Sequence, residues 1–154
     1  MRTDKRSVAS NPGAEIFRHC VMTRARQISR VLTAAYDQAL RPFGINATQF
    51  TLLVLVHELG PISRADLGRR NHHDRSTLTR NLQPLLAAGW IAEDAAEAAD
   101  GRSRPLSVTR AGKSMLKAAA PAWAQAQAAA SAMMGDDGVA AIMGIAGKLP
   151  KRSA

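Results

Sequence analysis

The stretch from Ser63 to Gly89 constrains this chain more than any other. Ser63-Arg64-Ala65-Asp66 is a helix-start signal, a hydroxyl placed to accept a backbone N–H of the first turn. Asp74 is a second such signal, and only Asn71-His72-His73 separates it from the end of the first helix near Arg70. The pattern predicts a short helix to about Arg70, a three-residue turn, and a second helix from about Arg75 to Ala88, stopped by Gly89. Helix, tight turn and helix within about 25 residues is the spacing of a helix-turn-helix unit.

The second of these helices has two distinct faces. Leu78, Leu82, Leu85 and Leu86 follow i, i+4, i+7, i+8 spacing and define a buried stripe. At ~100° per residue the opposite face carries Ser76, Arg80 and Gln83, flanked by Thr77 and Thr79. All five can donate to or accept from base edges, and none is a carboxylate. Arg75 stands at the helix start, where backbone N–H groups and the helix dipole favour phosphate. The bland alternatives are an amphipathic helix with a solvated polar face, and an Arg75 that pairs with Asp74. Pro84 removes one helical hydrogen bond and is expected to bend the helix near Arg80 or to split it.

Charge points to the same class of partner. The net charge is +9, carried mostly by arginine, whose planar fork suits phosphates and guanine edges. A charge kept for solubility is the competing explanation. Aromatic residues make up only 4% while alanine is abundant, which favours helices over a β-sandwich. No apolar run approaches the ~18 residues of a membrane span, and the polar start lacks the apolar stretch of a signal peptide. The single Cys20 cannot form an intramolecular disulfide. A cytoplasmic protein with no membrane partner is expected.

The flanking segments complete the architecture. Ile16, Phe17, Cys20, Val21, Ile28, Val31, Leu32, Ala35 and Leu40 fall mostly on one side of a helix expected from about Ala14 to Arg41, ended by Pro42 and Gly44. That length exceeds what a small core needs and suggests a partner chain. Asn46-Ala47-Thr48-Gln49 is a capping-box signature before the apolar run Phe50 to Val56. The run could be a buried strand, but the cap argues for helix. After Gly89, Trp90 to Glu93 and Leu106 to Val108 read as two short strands. The connecting loop, Asp94 to Pro105, contains the turn signal Asp100-Gly101. A hairpin here is a wing. Arg102 and Arg104 near its tip suit a narrow minor groove, although a charged solvated turn would look the same. Thr109 caps a last helix, Arg110 to Met133, which Pro121 is expected to kink or split. Gly135 to Gly138 breaks it, and Val139 to Leu149 forms a final short helix.

The expected fold is therefore mainly α with a small β-hairpin wing, a winged helix-turn-helix with N- and C-terminal dimerisation helices. Its parts would be a mobile basic arm (1–13), a dimerisation helix (14–44), the winged helix-turn-helix DNA-binding domain (45–110), C-terminal dimerisation helices (111–149) and a basic tail (150–154).

Leu67 to Gly112 resembles the core of a MarR-type transcriptional regulator. The matching pieces are Asp74-Arg-Ser-Thr-Leu-Thr-Arg80, Gly89-Trp-Ile, Asp100-Gly-Arg-Ser103 and Val108-Thr-Arg-Ala-Gly112. Gly44-Ile-Asn-Ala-Thr-Gln-Phe50 fits the start of the family's second helix, and the likeness covers about residues 14–147. The resemblance implies a homodimer that reads a pseudo-palindromic double-stranded operator, recognition helices in major grooves and wings in minor grooves. It implies in many cases release by a small, often aromatic, effector between the dimerisation and DNA-binding lobes. By that analogy a pocket would involve Phe50, Val54 and the first helix with Cys20. One departure is the turn, where Asn71, His72 and His73 replace the family's apolar residue, glycine and apolar residue. Asn and His tolerate left-handed backbone better than most other non-glycine residues, so the turn remains feasible.

A branch of the family senses organic peroxides through one cysteine early in the first helix. Cys20 occupies such a place, near Arg18, His19 and Arg24, which could lower its pKa. The tyrosines that accompany the cysteine in that branch are missing. The plainer reading of Cys20 is a small core residue on the apolar stripe. Enzyme motifs are absent: no phosphate-cradling glycine loop, no metal-ligand spacing, no nucleophile elbow. Neither cofactor nor metal is expected. The expected function is a sequence-specific regulator, a repressor by preference. The alternatives are a peroxide sensor using Cys20 and an architectural DNA-binding protein with little sequence preference.

Overall fold

A computed structural model describes residues 12–94 and 104–150. The elements are α1 (Pro12–His19), α2 (Val21–Leu40), a 3-10 turn (Arg41–Phe43), α3 (Ala47–Leu59), α4 (Arg64–Arg70), α5 (Arg75–Ala87), β1 (Ile91–Glu93), β2 (Leu106–Val108) and α6 (Arg110–Ala146). The chain divides into two compact units, residues 1–32 and 33–154.

In the N-terminal unit the expected single helix is two. The helix is interrupted at Cys20, although the Cys20 N–H still reaches the Ile16 carbonyl at 3.0 Å. No residue of α1 is buried, and Ile16, Phe17, Val21 and Met22 are each more than half exposed. Cys20 is half-buried rather than a core residue. The side chain of Arg24 reaches back to the Phe17 carbonyl at 2.9 Å and lies over the Phe17 ring.

The second unit holds the core. Asn46 closes the expected capping box on α3, accepting the Gln49 N–H at 2.8 Å while Gln49 Oε1 accepts the Asn46 N–H at 3.2 Å. The Asp37 carboxylate accepts the Ala47 N–H at 2.7 Å, so another first-turn donor of α3 is satisfied from the end of α2. Phe50, Leu52, Leu53 and Val56 are buried, which makes α3 the central element. Around it pack Leu67 of α4, Leu78, Leu82 and Leu85 of α5, Ile91 of β1, Leu106 of β2 and Ala119 of α6. Burial of each such leucine stabilises the fold by about 1.5–3 kcal/mol.

The strands pair antiparallel, Ile91 opposite Val108 and Glu93 opposite Leu106. Ile62 forms an isolated bridge on the other edge of β2, exchanging two backbone hydrogen bonds with Leu106 at 3.0 and 2.8 Å. The wing is thereby bound to the segment that leads into α4.

Neither proline splits its helix: Pro84 and Pro121 both lie within helical runs. Pro84 is within α5, and the fully buried Leu82 and Leu85 beside it hold the helix by packing. Pro121 is within α6, where buried Ala119, Ala126 and Ala130 do the same. The expected break after Met133 appears at one residue, Gly135 (φ 68°, ψ 168°), a conformation open to glycine alone. The half-buried Tyr36 hydroxyl bonds to Gln127, tying the end of α2 to α6. No single helix among the described residues is long and apolar enough to cross a membrane.

Candidate nucleic-acid interface

The site grows from the two caps seen in the sequence. The Ser63 hydroxyl accepts the Asp66 N–H at 3.0 Å and starts α4. Asn71 ends it, and His72 takes the left-handed conformation (φ 53°) that a histidine can reach at modest cost. The His73 N–H then donates to the Gly68 carbonyl at 3.0 Å. A Cβ on Gly68 would lie 3.4 Å from both that turn and Leu78, so the two helices meet closely here. The unusual Asn-His-His turn is thus compatible with the motif.

Asp74 caps α5 with more than one bond. Its carboxylate accepts the Thr77 N–H at 2.8 Å, the Ser76 hydroxyl at 2.7 Å and the Thr77 hydroxyl at 2.7 Å. These donors hold the Asp74 carboxyl well below the usual carboxylate range, the Thr77 N–H contributing most. The Thr79 hydroxyl donates to the Arg75 carbonyl at 2.8 Å. All three hydroxyls expected at base edges therefore spend their hydrogens within the protein. Ser76 and Thr79 are exposed and Thr77 is half-buried.

Arg75, Arg80 and Gln83 are exposed, and no hydrogen bond or ion pair engages their side chains among the described residues. Ser76, Arg80 and Gln83, at i, i+4 and i+7, lie opposite the buried Leu78, Leu82 and Leu85.

The cations sort into two groups. Arg64 pairs with Glu93, its Nε 3.1 Å from Oε1, and Arg69 pairs with Asp66. Arg70, Arg75, Arg80 and Arg104 are exposed and form no ion pair among the described residues. The Arg64–Glu93 pair, each partner about a third exposed, joins the start of α4 to β1. Arg70 went unnoticed as a sequence candidate because it lies at the end of α4 rather than on α5.

Arg104 stands just before β2, and the Asp94 N–H donates to the Pro105 carbonyl at 2.9 Å across the base of the wing. Arg102 and the Asp100-Gly101 turn lie outside the described residues. Phe50 is a buried core residue and Val54 is half-buried against the core, whereas Cys20 belongs to the N-terminal unit. Among the described residues no three His, Cys, Asp or Glu side chains gather to hold a metal.

A family model described as the MarR family matches residues 43–103, from the 3-10 turn to the wing. The transcriptional regulator MosR of M. tuberculosis, crystallised in complex with DNA, is 33% identical, with a TM-score of 0.71 over 83% of this chain and 94% of that one. The chain belongs to the MarR family of DNA-binding transcriptional regulators.

Within the family, a MarR family protein of M. tuberculosis in complex with p-aminosalicylic acid is 23% identical, with a TM-score of 0.62 over 83% of this chain and 96% of that one. At that identity it shows the shared fold. A curated relative, an uncharacterised HTH-type transcriptional regulator YwoH of Bacillus subtilis, is 24% identical over 49% of this chain. The match spans 55% of that relative's length. In this MarR-family regulator, α4 and α5 are the helix-turn-helix and β1 with β2 is the wing.

Proposed function

We propose that this MarR-family chain is a homodimeric repressor that reads a pseudo-palindromic operator in double-stranded DNA. In this reading α5 lies in the major groove, with Arg80 and Gln83 as donors to base edges and Ser76, Thr77 and Thr79 beside them. Arg75 contacts phosphate at the start of α5, and Arg102 and Arg104 of the wing meet the minor groove. The observation that carries the reading is that Arg70, Arg75, Arg80 and Arg104 are exposed and form no ion pair among the described residues, while the carboxylate at the start of α5, Asp74, is engaged in capping. The DNA complex of MosR supports it.

The apolar side chains exposed on α1, α2 and the C-terminal part of α6, among them Phe17, Val21, Met143 and Ile145, suit burial against a second copy. Residues 14–44 and 111–149 would then supply dimerisation, and 45–110 the DNA-binding domain. Release by a small aromatic effector is supported by the relative that carries p-aminosalicylic acid. Phe50 and Val54 would line the site.

The test is fluorescence anisotropy on DNA from upstream of the chain's own gene, with a scrambled duplex as control, at near-physiological salt. Tight binding to the first and about 10³-fold weaker binding to the second supports a sequence-specific regulator. Equal binding with a steep salt dependence supports the architectural alternative instead.

A second reading has its own observation. Hydrogen bonds from Thr23, at the start of α2, lower the Cys20 thiol below its ordinary pKa. This favours a thiolate and hence the peroxide-sensing alternative. Peroxide that releases DNA from the wild type but not from Cys20→Ser would support it.

A further inference from the structure

We propose that Asp74 fixes the hydrogen-bond polarity of Ser76 and Thr77, turning both into acceptors, so that Ser76 selects a base bearing an exocyclic amino group, adenine or cytosine. The proposal rests on the reading of α5 as the major-groove helix.

The argument starts from the hydrogen count. A hydroxyl has one hydrogen and two lone pairs, and an ionised carboxylate has only lone pairs. At 2.7 Å from the carboxylate, the Ser76 hydroxyl must place its single hydrogen between the two oxygens. The Thr77 hydroxyl, also at 2.7 Å, must do the same on the other carboxylate oxygen. The Thr77 N–H at 2.8 Å occupies the carboxylate further and keeps it ionised.

Redirecting either hydrogen to a base edge would break a charge-assisted bond, roughly twice as strong as the neutral one that replaced it, and redirecting it to a phosphate would only trade one charged acceptor for another. What remains for the groove is lone pairs. Phosphate oxygens, guanine O6 and N7, and thymine O4 also offer only lone pairs, so they have nothing to give these hydroxyls. Adenine N6 and cytosine N4 present N–H groups in the major groove and do. Ser76 is exposed on the same face as Arg80 and Gln83, so it is the hydroxyl best placed to apply the rule. Asp74 thus acts as a positioning residue that needs no contact with DNA.

The experiment is selection of binding sites from a randomised duplex pool by the full-length wild type, Ser76→Ala and Asp74→Ala, each checked for native circular dichroism. The proposal expects one position per half-site where the wild type enriches adenine or cytosine and Ser76→Ala loses the preference. Asp74→Ala removes both acceptor oxygens, which frees the Ser76 hydrogen. The preference at that position should then shift towards guanine or thymine.

A second measurement needs no Asp74 variant. The wild type is titrated on its selected site with purine replacing adenine, or 2-pyrimidinone replacing cytosine, at that position. Loss of one hydrogen bond should weaken the wild type about three- to tenfold and leave Ser76→Ala unaffected.

A Ser76-dependent guanine or thymine, insensitivity to removal of the amino group, or an enriched site indifferent to Ser76→Ala would overturn the proposal while leaving the major-groove reading intact. A wild type that enriches no sequence at all would overturn that reading and the proposal with it.

Discussion

Gly112 sits against the backbone of Trp90 so closely that a Cβ on it would come within 2.0 Å of the Trp90 carbonyl oxygen and 2.7 Å of the Val108 side chain. The contact lies where α6 leaves the wing. There Thr109 accepts the Gly112 N–H at 3.1 Å and donates its own hydrogen to the Gly89 carbonyl at 2.6 Å. Gly112→Ala should therefore destabilise the winged-helix unit by about 1–3 kcal/mol, because backbone must move to admit the methyl group. Thermal unfolding followed by circular dichroism should show a melting temperature several degrees lower, and an unchanged one would contradict the close approach.

Arg80 has no ionic partner within the described protein, so its removal should cost binding rather than folding. Arg80→Ala should leave the melting temperature near that of the wild type and weaken operator binding by ~1–3 kcal/mol, with a smaller loss on scrambled DNA. Equal losses on both duplexes would reassign Arg80 to phosphate.

The wing should act separately from α5. Arg102→Ala and Arg104→Ala should chiefly weaken sites with A·T-rich flanks, whose narrow minor groove attracts arginine. Competition between duplexes that differ only in the flanks would measure this, and no flank dependence for either variant would remove the wing from the interface.

Asp74 makes stability depend on pH in a calculable direction. Its folded pKa is depressed by the donors of Ser76 and Thr77, so its contribution is present above the unfolded carboxylate value of about 3.9 and is lost as pH falls through the lower folded value. Asp74→Ala should melt below the wild type at neutral pH, and the gap should narrow as the pH is taken below about 4. A gap that stayed constant or widened on acidification would mean that the carboxylate is not the stabilising species.

Cys20 should react as a partly activated thiol. Thr23 donates to it from both its hydroxyl and its backbone, and Arg24 adds positive charge. The rate of alkylation by iodoacetamide should rise with an apparent pKa below that of an unperturbed cysteine thiol followed in the same buffer. A midpoint at or above that value would leave Cys20 an inert residue and weaken the peroxide reading.

Much of the fold was legible because a helix cap is a contact within three residues of itself. Asn46, Ser63, Asp74 and Thr109 each begin a helix as their local sequence indicates. Gly135 marks a break for a similarly local reason, a backbone conformation that side chains disfavour. The leucine spacing of α5 likewise placed Leu78, Leu82 and Leu85 in the core, although Leu86 is only half-buried.

What the sequence could not decide depends on neighbours far along the chain. Ile62 reads as an isolated residue between helices, yet it pairs with Leu106 because the fold brings the two segments together. Pro84 and Pro121 carry a strong local signal for disruption, yet neither splits its helix, and buried leucines and alanines flank them. Ser76 and Thr77 look like free hydroxyls in the sequence, but the folded geometry commits their hydrogens to Asp74. Local chemistry determined where α3, α4, α5 and α6 begin, whereas tertiary packing decided which segments pair and which polar atoms remain free to meet DNA. The physical reason is that a cap needs only a few consecutive residues, while packing and hydrogen-bond commitment need the assembled core.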